Sequence, residues 1–389
     1  MDEGTLQVLG SDDLFPFAHQ VNIMARVAII GAGVAGLTAA LYATTAGHQV
    51  VVLDRTTRLG GRATSEHVGS VPFGFGPHLL VNNGPLAKVV KKISRLKMAL
   101  APLRTDRLHV QGHGTIRPRG DVKTAAQNRA LLRGQDPSSP LVQAVDLLAG
   151  MGQIHGHQPR VSALLKHRLM VVGEGWAGLI GRMAAALDEV GVLIEPNSDV
   201  TSIDGRDVVL ADGRRFSSDV VILACGWRRA RSILQPLMGE ACPNLVPMKA
   251  STIDVHVSSQ PLADRHGVID PERHGLLLSL SNIQPKMAVS GSLLSSAVFS
   301  LEGESTADRS NRLFEFMDVH APGWREHTVE QRLQTSITVQ TEGDKPSFDA
   351  LRDQGVLLAG EWVDSDHLLS DAAAHTGRLA GSNILKALR

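Results

Sequence analysis

Arg26-Val-Ala-Ile-Ile-Gly-Ala-Gly-Val-Ala-Gly-Leu37 decides how this chain is read. Val27 to Ile30 are apolar, mostly β-branched, and end at a glycine, which is the pattern of a strand buried on both faces. Gly31, Gly33 and Gly36 then fit G-x-G-x-x-G, and the Ala/Leu-rich stretch from Leu37 to Ala46 reads as a helix. Each glycine has a physical task. The first permits the tight turn, the second lets the backbone approach a pyrophosphate, and the third lets helix and strand pack closely. The helix N-terminus offers free N–H groups and partial positive charge to the phosphates. Gln49-Val-Val-Val-Leu-Asp54 is the second strand, and Asp54 closes it where a carboxylate takes the ribose hydroxyls. A glycine turn used only for packing would need neither Asp54 nor the second strand. The unit therefore reads as a dinucleotide-binding βαβ.

Arg55-Thr-Thr-Arg-Leu-Gly-Gly-Arg62 follows directly. Gly60 and Gly61 suit a second close approach to a diphosphate. Arg55 flanks it, and Arg62 is available for charge-assisted contact. Phe73-Gly-Phe-Gly-Pro-His78 is a third glycine-rich approach. Gly74 and Gly76 remove side chains where backbone must pass a flat ligand. Pro77 fixes the turn and so the direction in which His78 is delivered.

The rest of the composition excludes several classes. The chain has 389 residues, enough for two domains or one large one. Lys+Arg and Asp+Glu balance at 39 each, so there is no basic field and no nucleic-acid partner is expected. Cys225 and Cys242 make neither a disulfide framework nor a zinc site, which fits a reducing, cytoplasmic setting. No apolar run reaches transmembrane length. Residues 1–23 carry Asp2, Glu3, Asp12 and Asp13 without a basic n-region, and read as an N-terminal extension rather than a signal peptide. His155-Gly-His157 and His109 to His113 lack carboxylate or cysteine support, so no metal is expected. Trp227-Arg-Arg-Ala-Arg231 reads as a solvated helix start, with peripheral membrane contact left open. With a single tyrosine, Tyr42, a cage built of tyrosines is excluded by arithmetic.

Beyond the first unit, Leu86 to Leu103 reads as helical, Leu108 to Pro118 as a hairpin, and Val122 to Leu164 as two or three short helices. Gly173 to Val190 reads as a helix started by a glycine turn. Lys249 to Leu301 is strand-rich. Thr306 to His320 reads as an amphipathic helix stopped by Pro322-Gly323, Gly355 to Gly360 as a buried strand, and Asp371 to Leu388 as a closing helix.

Taken in order, Gly60-Gly61-Arg62, Gly76-Pro77-His78, Gly173-Glu-Gly-Trp-Ala-Gly-Leu-Ile180, Val200-Thr-Ser-Ile203, Asp219-Val-Val-Ile-Leu-Ala224, Gly360-Glu361-Trp362 and Ala372-Ala-Ala-His-Thr-Gly-Arg-Leu-Ala380 carry a resemblance. The chain resembles the FAD-dependent amine oxidase and phytoene desaturase superfamily over nearly its full length, least between 85 and 165 and between 245 and 345. The resemblance implies FAD as the cofactor. It also implies an α/β fold in which a discontinuous FAD-binding Rossmann-like domain (24–84, 167–245 and 350–389) carries a second, α+β substrate domain (85–166 and 246–349). In that frame Glu361, after Gly360, would hold the ribityl chain or a pyrophosphate-bound water. Val200 would meet the adenine through its backbone. Ala373 and Ala374 would point N–H groups at the flavin N1/O2 edge, where positive charge favours reduction. Ala372 stands where the family usually has glycine.

The implied activity is oxidation of a small organic substrate, with oxygen or a quinone open as electron acceptor. Dehydrogenation of a largely apolar substrate by hydride transfer to flavin leads. Amine oxidation is the alternative, and a redox-neutral or non-catalytic FAD protein is a third reading. His78 and Lys249 are the candidate catalytic side chains, and Trp362 and Phe75 could supply a partial aromatic cage. The substrate pocket is expected between the flavin and the strands from Lys249 to Leu301, with residues 85–165 as one wall.

Overall fold

The structure, a computed structural model, describes residues 24–69, 71–93, 98–116, 136, 138–150 and 158–388. The extension 1–23, the pair His155 and His157, and much of the stretch expected as short helices after Val122 lie outside the described residues.

The chain opens with β1 (Arg26–Ile30), α1 (Val34–Thr45) and β2 (Gln49–Leu53), as the pattern requires. Then come β3 (Glu66–Val68), β4 (Val71–Phe73), β5 (Leu80–Val81), α2 (Pro85–Ile93), β6 (Leu100–Pro102), β7 (Leu108–Val110) and β8 (Gly114–Thr115). Two helices, α3 (Pro140–Gly150) and α4 (Gln158–Leu165), lead to β9 (Leu169–Val172), α5 (Gly175–Glu189) and β10 (Leu193–Glu195). A meander of β11 (Val200–Asp204), β12 (Asp207–Leu210) and β13 (Arg215–Ser217) precedes β14 (Val220–Leu223) and α6 (Trp227–Met238). The long strand β15 (Val246–Val257) begins a run of β16 (Gly267–Asp270), β17 (Gly275–Ser279), β18 (Ser292–Phe299), α7 (Thr306–His320) and β19 (Thr328–Glu342). The chain closes with β20 (Val356–Leu358) and α8 (Leu369–Ser382).

A parallel five-stranded sheet runs β10-β2-β1-β14-β20, so its strands come from three distant stretches of sequence. Strand alternation explains why those stretches are apolar throughout. Val27 and Ile29 enter the core under α1 and α5, whereas Ala28 and Ile30 enter the core under α6. Val220 and Ile222 against Val221 and Leu223 divide in the same way.

The second sheet runs β19-β15-β18-β17-β16-β7-β8 and is antiparallel except where β16 meets β7. One face packs under α7, through Ile253, Val255, Leu313 and Phe316. The other face, with Ala250 and Leu293, shares a core with Phe73, Leu79, Ala144 and Leu164, so described parts of the 85–165 stretch pack on this sheet. The helix α2, also from that stretch, packs instead in the core with α1 and α5.

Two expectations are corrected. The helix read over Leu86 to Leu103 ends at Ile93, and Leu100 pairs with Val172 as an edge strand, because tertiary pairing overrides the local pattern there. The closing helix breaks at Asn383, and a separate short helix spans Ile384–Ala387. The helix α7 matches its expected bounds. Ser305 accepts the Asp308 N–H at 3.1 Å as N-cap, and Pro322-Gly323 lies just past its end. Among the described residues no helix is long and apolar enough to cross a membrane, and no His/Cys/Asp/Glu group is placed to hold a metal.

Candidate cofactor and active site

The turn after β1 is shaped by exclusion. The Gly31 N–H donates to Leu53 O at 2.8 Å, and its φ of +110° is one that favours glycine. A Cβ on Gly36 would overlap Gly31 O, so this glycine seats α1 against the turn. Gly33 differs: a Cβ there would meet only Gly60 O, at 3.8 Å. The Gly-Gly-Arg turn is clipped alongside, with the Gly60 N–H donating to Ala32 O at 2.8 Å. A Cβ on Gly61 would likewise meet nothing nearer than Gly33 Cα, at 3.8 Å. Gly33 and Gly61 thus present bare backbone side by side, a cradle that side chains would fill. This fits a diphosphate.

Asp54 lies half-buried at the end of β2, as expected. Its Oδ2 accepts the Ala32 N–H at 2.7 Å and its Oδ1 accepts the Thr56 N–H at 2.9 Å, which fixes the carboxylate beside the turn. The Asp54 carbonyl accepts the Ser198 N–H at 2.7 Å, bringing Val200, buried at the start of β11, to the same end of the sheet. Arg55 is exposed there. Burial pushes the neighbouring Cys225 thiol up to about 12, which disfavours the thiolate.

Arg62 and Glu361 were each expected to face the cofactor, and the structure pairs them with one another. Arg62 Nη2 donates to Glu361 Oε1 at 3.0 Å, and Nη1 donates to the carbonyls of Thr338 and Val339 at 3.1 and 3.0 Å. Glu361 Oε2 accepts the Thr341 N–H at 2.9 Å and its hydroxyl at 3.0 Å. The buried carboxylate therefore pins β19 to the Gly-Gly-Arg turn. Gly360 is tied to α8 by Thr376, whose Oγ1 accepts the Gly360 N–H at 2.9 Å.

The helix α8 begins where Gln340 Oε1 accepts the Leu369 N–H at 3.2 Å. Cβ atoms on Gly377 and Gly381 would overlap the carbonyls of Ala35 and Ala39, so α8 lies parallel to α1 in close contact. Gly377 is level with the start of α1, so the N-terminus of α8, before Ala373 and Ala374, lies about two turns further along, its positive end pointing the same way.

The loop to His78 rests on β15. A Cβ on Gly76 would come within 2.8 Å of Thr252 Cγ2, and Pro77 is half-buried. Asp254 is buried beneath the loop and accepts from Ser295. Burial pushes its carboxyl up to about 6, against that hydroxyl and the amides of Gly76 and Gly74, which favour the charged form. His78 packs on Trp176 with ring centroids 5.1 Å apart. His78 Nε2 and Trp176 Nε1 are both sealed from solvent and without a hydrogen-bond partner. They line one cavity of about 20 Å³ with Gly74, Gly76, Leu280 and Met287, a space of water size. Two orphaned ring nitrogens beside the glycine loop mark a place where a polar ligand edge would be satisfied. Burial, with the Arg62 charge adding to it, pushes the His78 imidazole down to about 4, so it is neutral at neutral pH.

Lys249 does not join this group. On β15 the residues Thr252 and Asp254 face the glycine loop, whereas Ser251 bonds Arg309 of α7 at 3.1 Å. Alternation puts Lys249 with Ser251, on the α7 face, where its Nζ donates to Thr338 Oγ1 at 2.9 Å. Lys249→Met is expected to leave flavin spectrum and turnover unchanged; a large fall in turnover would return the lysine to the reacting face. The partial cage is not built either. Phe75 lies between Arg58 and Arg332, at 4.7 and 4.2 Å, and Trp362 Nε1 donates to Cys225 O at 2.9 Å within the core under α6. Trp176 was missed as a site residue. Its signal was Gly173-Glu-Gly-Trp176, read only as a helix start.

Residues 26–372 match the family model described as FAD dependent oxidoreductase. Over 124 residues the chain is 32% identical to a Mycobacterium tuberculosis protein described as a flavin-containing monoamine oxidase, AofH, covering 31% of this chain and 24% of that one. Over 96 residues it is 29% identical to a polyamine oxidase of Arabidopsis thaliana, covering 24% of this chain and 18% of that one. The matched stretch thus spans about a quarter or less of these curated relatives. An oxidoreductase from Methanosarcina mazei superposes with a TM-score of 0.70 at 17% identity, covering 91% of this chain and 99% of that one. A putrescine oxidase variant does so at 0.65 and 16%, covering 93% and 99%. These likenesses establish the fold.

Proposed function

This chain belongs to the FAD-dependent oxidoreductase family, and from that premise we propose that it dehydrogenates a largely apolar organic substrate. The observation that carries this reading is the make-up of the face under the glycine loop. Thr252, Leu280 and Met287 are neutral there, Lys249 faces α7, and Phe75 and Trp362 are engaged elsewhere. An amine substrate would find no aromatic cage there, and the one carboxyl beneath the loop, Asp254, is buried, accepts from Ser295 and is pushed towards its neutral form.

Bound FAD supplies a hydride acceptor. Gly33 and Gly61 leave room for its diphosphate, and the N-terminus of α1, capped at Gly33, supplies positive charge near it. Asp254 and Thr252 hold the loop that delivers His78, and Leu280 and Met287 keep that region dry. The neutral His78 ring acts as a hydrogen-bonding partner rather than as the acid of a neutral-pH reaction.

His78→Ala is expected to keep FAD bound while shifting flavin absorption or reduction potential. The pH profile around neutrality should keep its shape, because the ring titrates near 4. A variant unchanged in spectrum, potential and turnover would leave His78 a packing residue.

The substrate class is tested by anaerobic mixing of the yellow protein with apolar unsaturated or saturated hydrocarbons and with primary, secondary and polyamines. Bleaching of the oxidised flavin band by the apolar set alone is the expected result. Faster bleaching by an amine would install the second reading, amine oxidation, which the descriptions of the curated relatives favour.

A further inference from the structure

A cavity of about 490 Å³ opens between α2, α8, the start of α4 and the C-terminal half of α1. It is the size of a small-molecule site. None of the glycines at 31–36, 60–61 or 74–76 lines it, nor does His78, so it is separate from the diphosphate cradle, although Ala374 of α8 stands on its wall. Its wall carries the cations Lys88, Lys92, Arg160, Arg168 and Arg378, opposed by the carboxylate of Asp371.

Arg160 sets this cavity apart from an ordinary basic surface. Lys88, Lys92 and Arg168 are exposed and can be satisfied by water, but Arg160 is only 4% exposed. Its Nε is sealed from solvent and has no hydrogen-bond partner. A buried guanidinium in that condition is costly unless something binds it. Asp371 relieves it only in part, through the attraction of its charge rather than through a hydrogen bond to Nε. The Asp371 Oδ1 accepts the Leu86 N–H at 3.1 Å, and among the described residues no ion pair forms between Asp371 and Arg160. The fold thus holds a desolvated cation against a cavity whose other charged groups are mostly cations, which is how an oxyanion site is built.

We infer that this cavity binds a small organic oxyanion, a carboxylate or a phosphate ester, with Arg160 as its anchoring donor. Lys88 and Arg378 stand beside it as the long-range attraction that draws the anion in. The ligand would enter beside α8, which lines the cavity through Asp371, His375 and Arg378 while Gly377 and Gly381 pack on α1.

The test uses FAD-loaded protein titrated calorimetrically with inorganic phosphate and, separately, with succinate, each balanced with sodium chloride to constant ionic strength. Saturable binding of at least one is expected, and the tighter of the two identifies phosphate or carboxylate as the natural group. Arg160→Met should weaken that binding about tenfold or more while leaving FAD content and visible spectrum unchanged. Without ligand, Arg160→Met should be at least as stable as the parent, because an unpaired buried charge has been removed. Should that variant fail to fold, the double change Lys88→Met, Arg378→Met is expected to weaken binding several-fold. The inference is overturned if neither anion binds saturably, if Arg160→Met binds as the parent does, or if, in place of an unfolded Arg160→Met, the double variant binds unchanged.

Discussion

Gly33→Val is expected to give a folded but colourless protein. The backbone at Gly33 has φ −80° and ψ −177°, values any residue adopts, so no strain accompanies the change. The nearest atom to a new Cβ is Gly60 O at 3.8 Å, so the protein itself makes room for it. The space it would take is the space in front of the bare backbone of Gly33 and Gly61. Affinity for FAD should fall about a hundredfold or more, read as flavin released per chain after reconstitution. Gly36→Ala is the contrasting control, since its Cβ would overlap Gly31 O and colour should be lost there together with stability, not from a folded protein. Parent-like flavin occupancy in a folded Gly33→Val would remove the phosphate-cradle assignment.

Glu361→Ala is expected to cost about 2–4 kcal/mol of stability. The change strips the acceptor from the Thr341 N–H and hydroxyl, which are fully buried, and leaves the Arg62 guanidinium without its carboxylate. Arg62 is 44% exposed and water can partly solvate it, so most of the loss falls on Thr341. The Gly-Gly-Arg turn would also lose its fastening to β19, and FAD affinity should drop with it. Glu361→Gln keeps one acceptor oxygen and should fall between parent and alanine variant in chemical denaturation. Equal stability of all three proteins would show that the network holds nothing.

The parts of this fold readable from sequence are those whose causes are local. The βαβ unit declares itself because Val27 to Ile30, the three glycines and Asp54 all fall in one continuous stretch and answer to one another. The bounds of α7 are legible because Ser305, Asp308 and Pro322-Gly323 act on the helix they flank. The face that Lys249 takes is not legible in the sequence, because it depends on β15 lying between α7 and the glycine loop, a relation no local pattern records. Arg62 and Glu361 are both identifiable as unusual, but their pairing across the fold is not. Trp176 escapes for the same reason: its orphaned nitrogen has meaning only beside His78. Leu100 to Pro102 reads as helix because its strand partner, β9, is far along the chain.

The close seating of α8 on α1 has a consequence for biogenesis. Gly377 and Gly381 complete a surface begun by Ala35 and Ala39, and β20 completes the sheet begun by β1. While the chain is being synthesised, the nucleotide-binding end is therefore unfinished until residues near 381 have left the ribosome. Through that interval α1 carries an uncovered stripe of alanine and leucine on the face that α8 later covers. FAD uptake is then expected to follow the synthesis of α8, and a chain stopped before Leu369 is expected to take up no flavin.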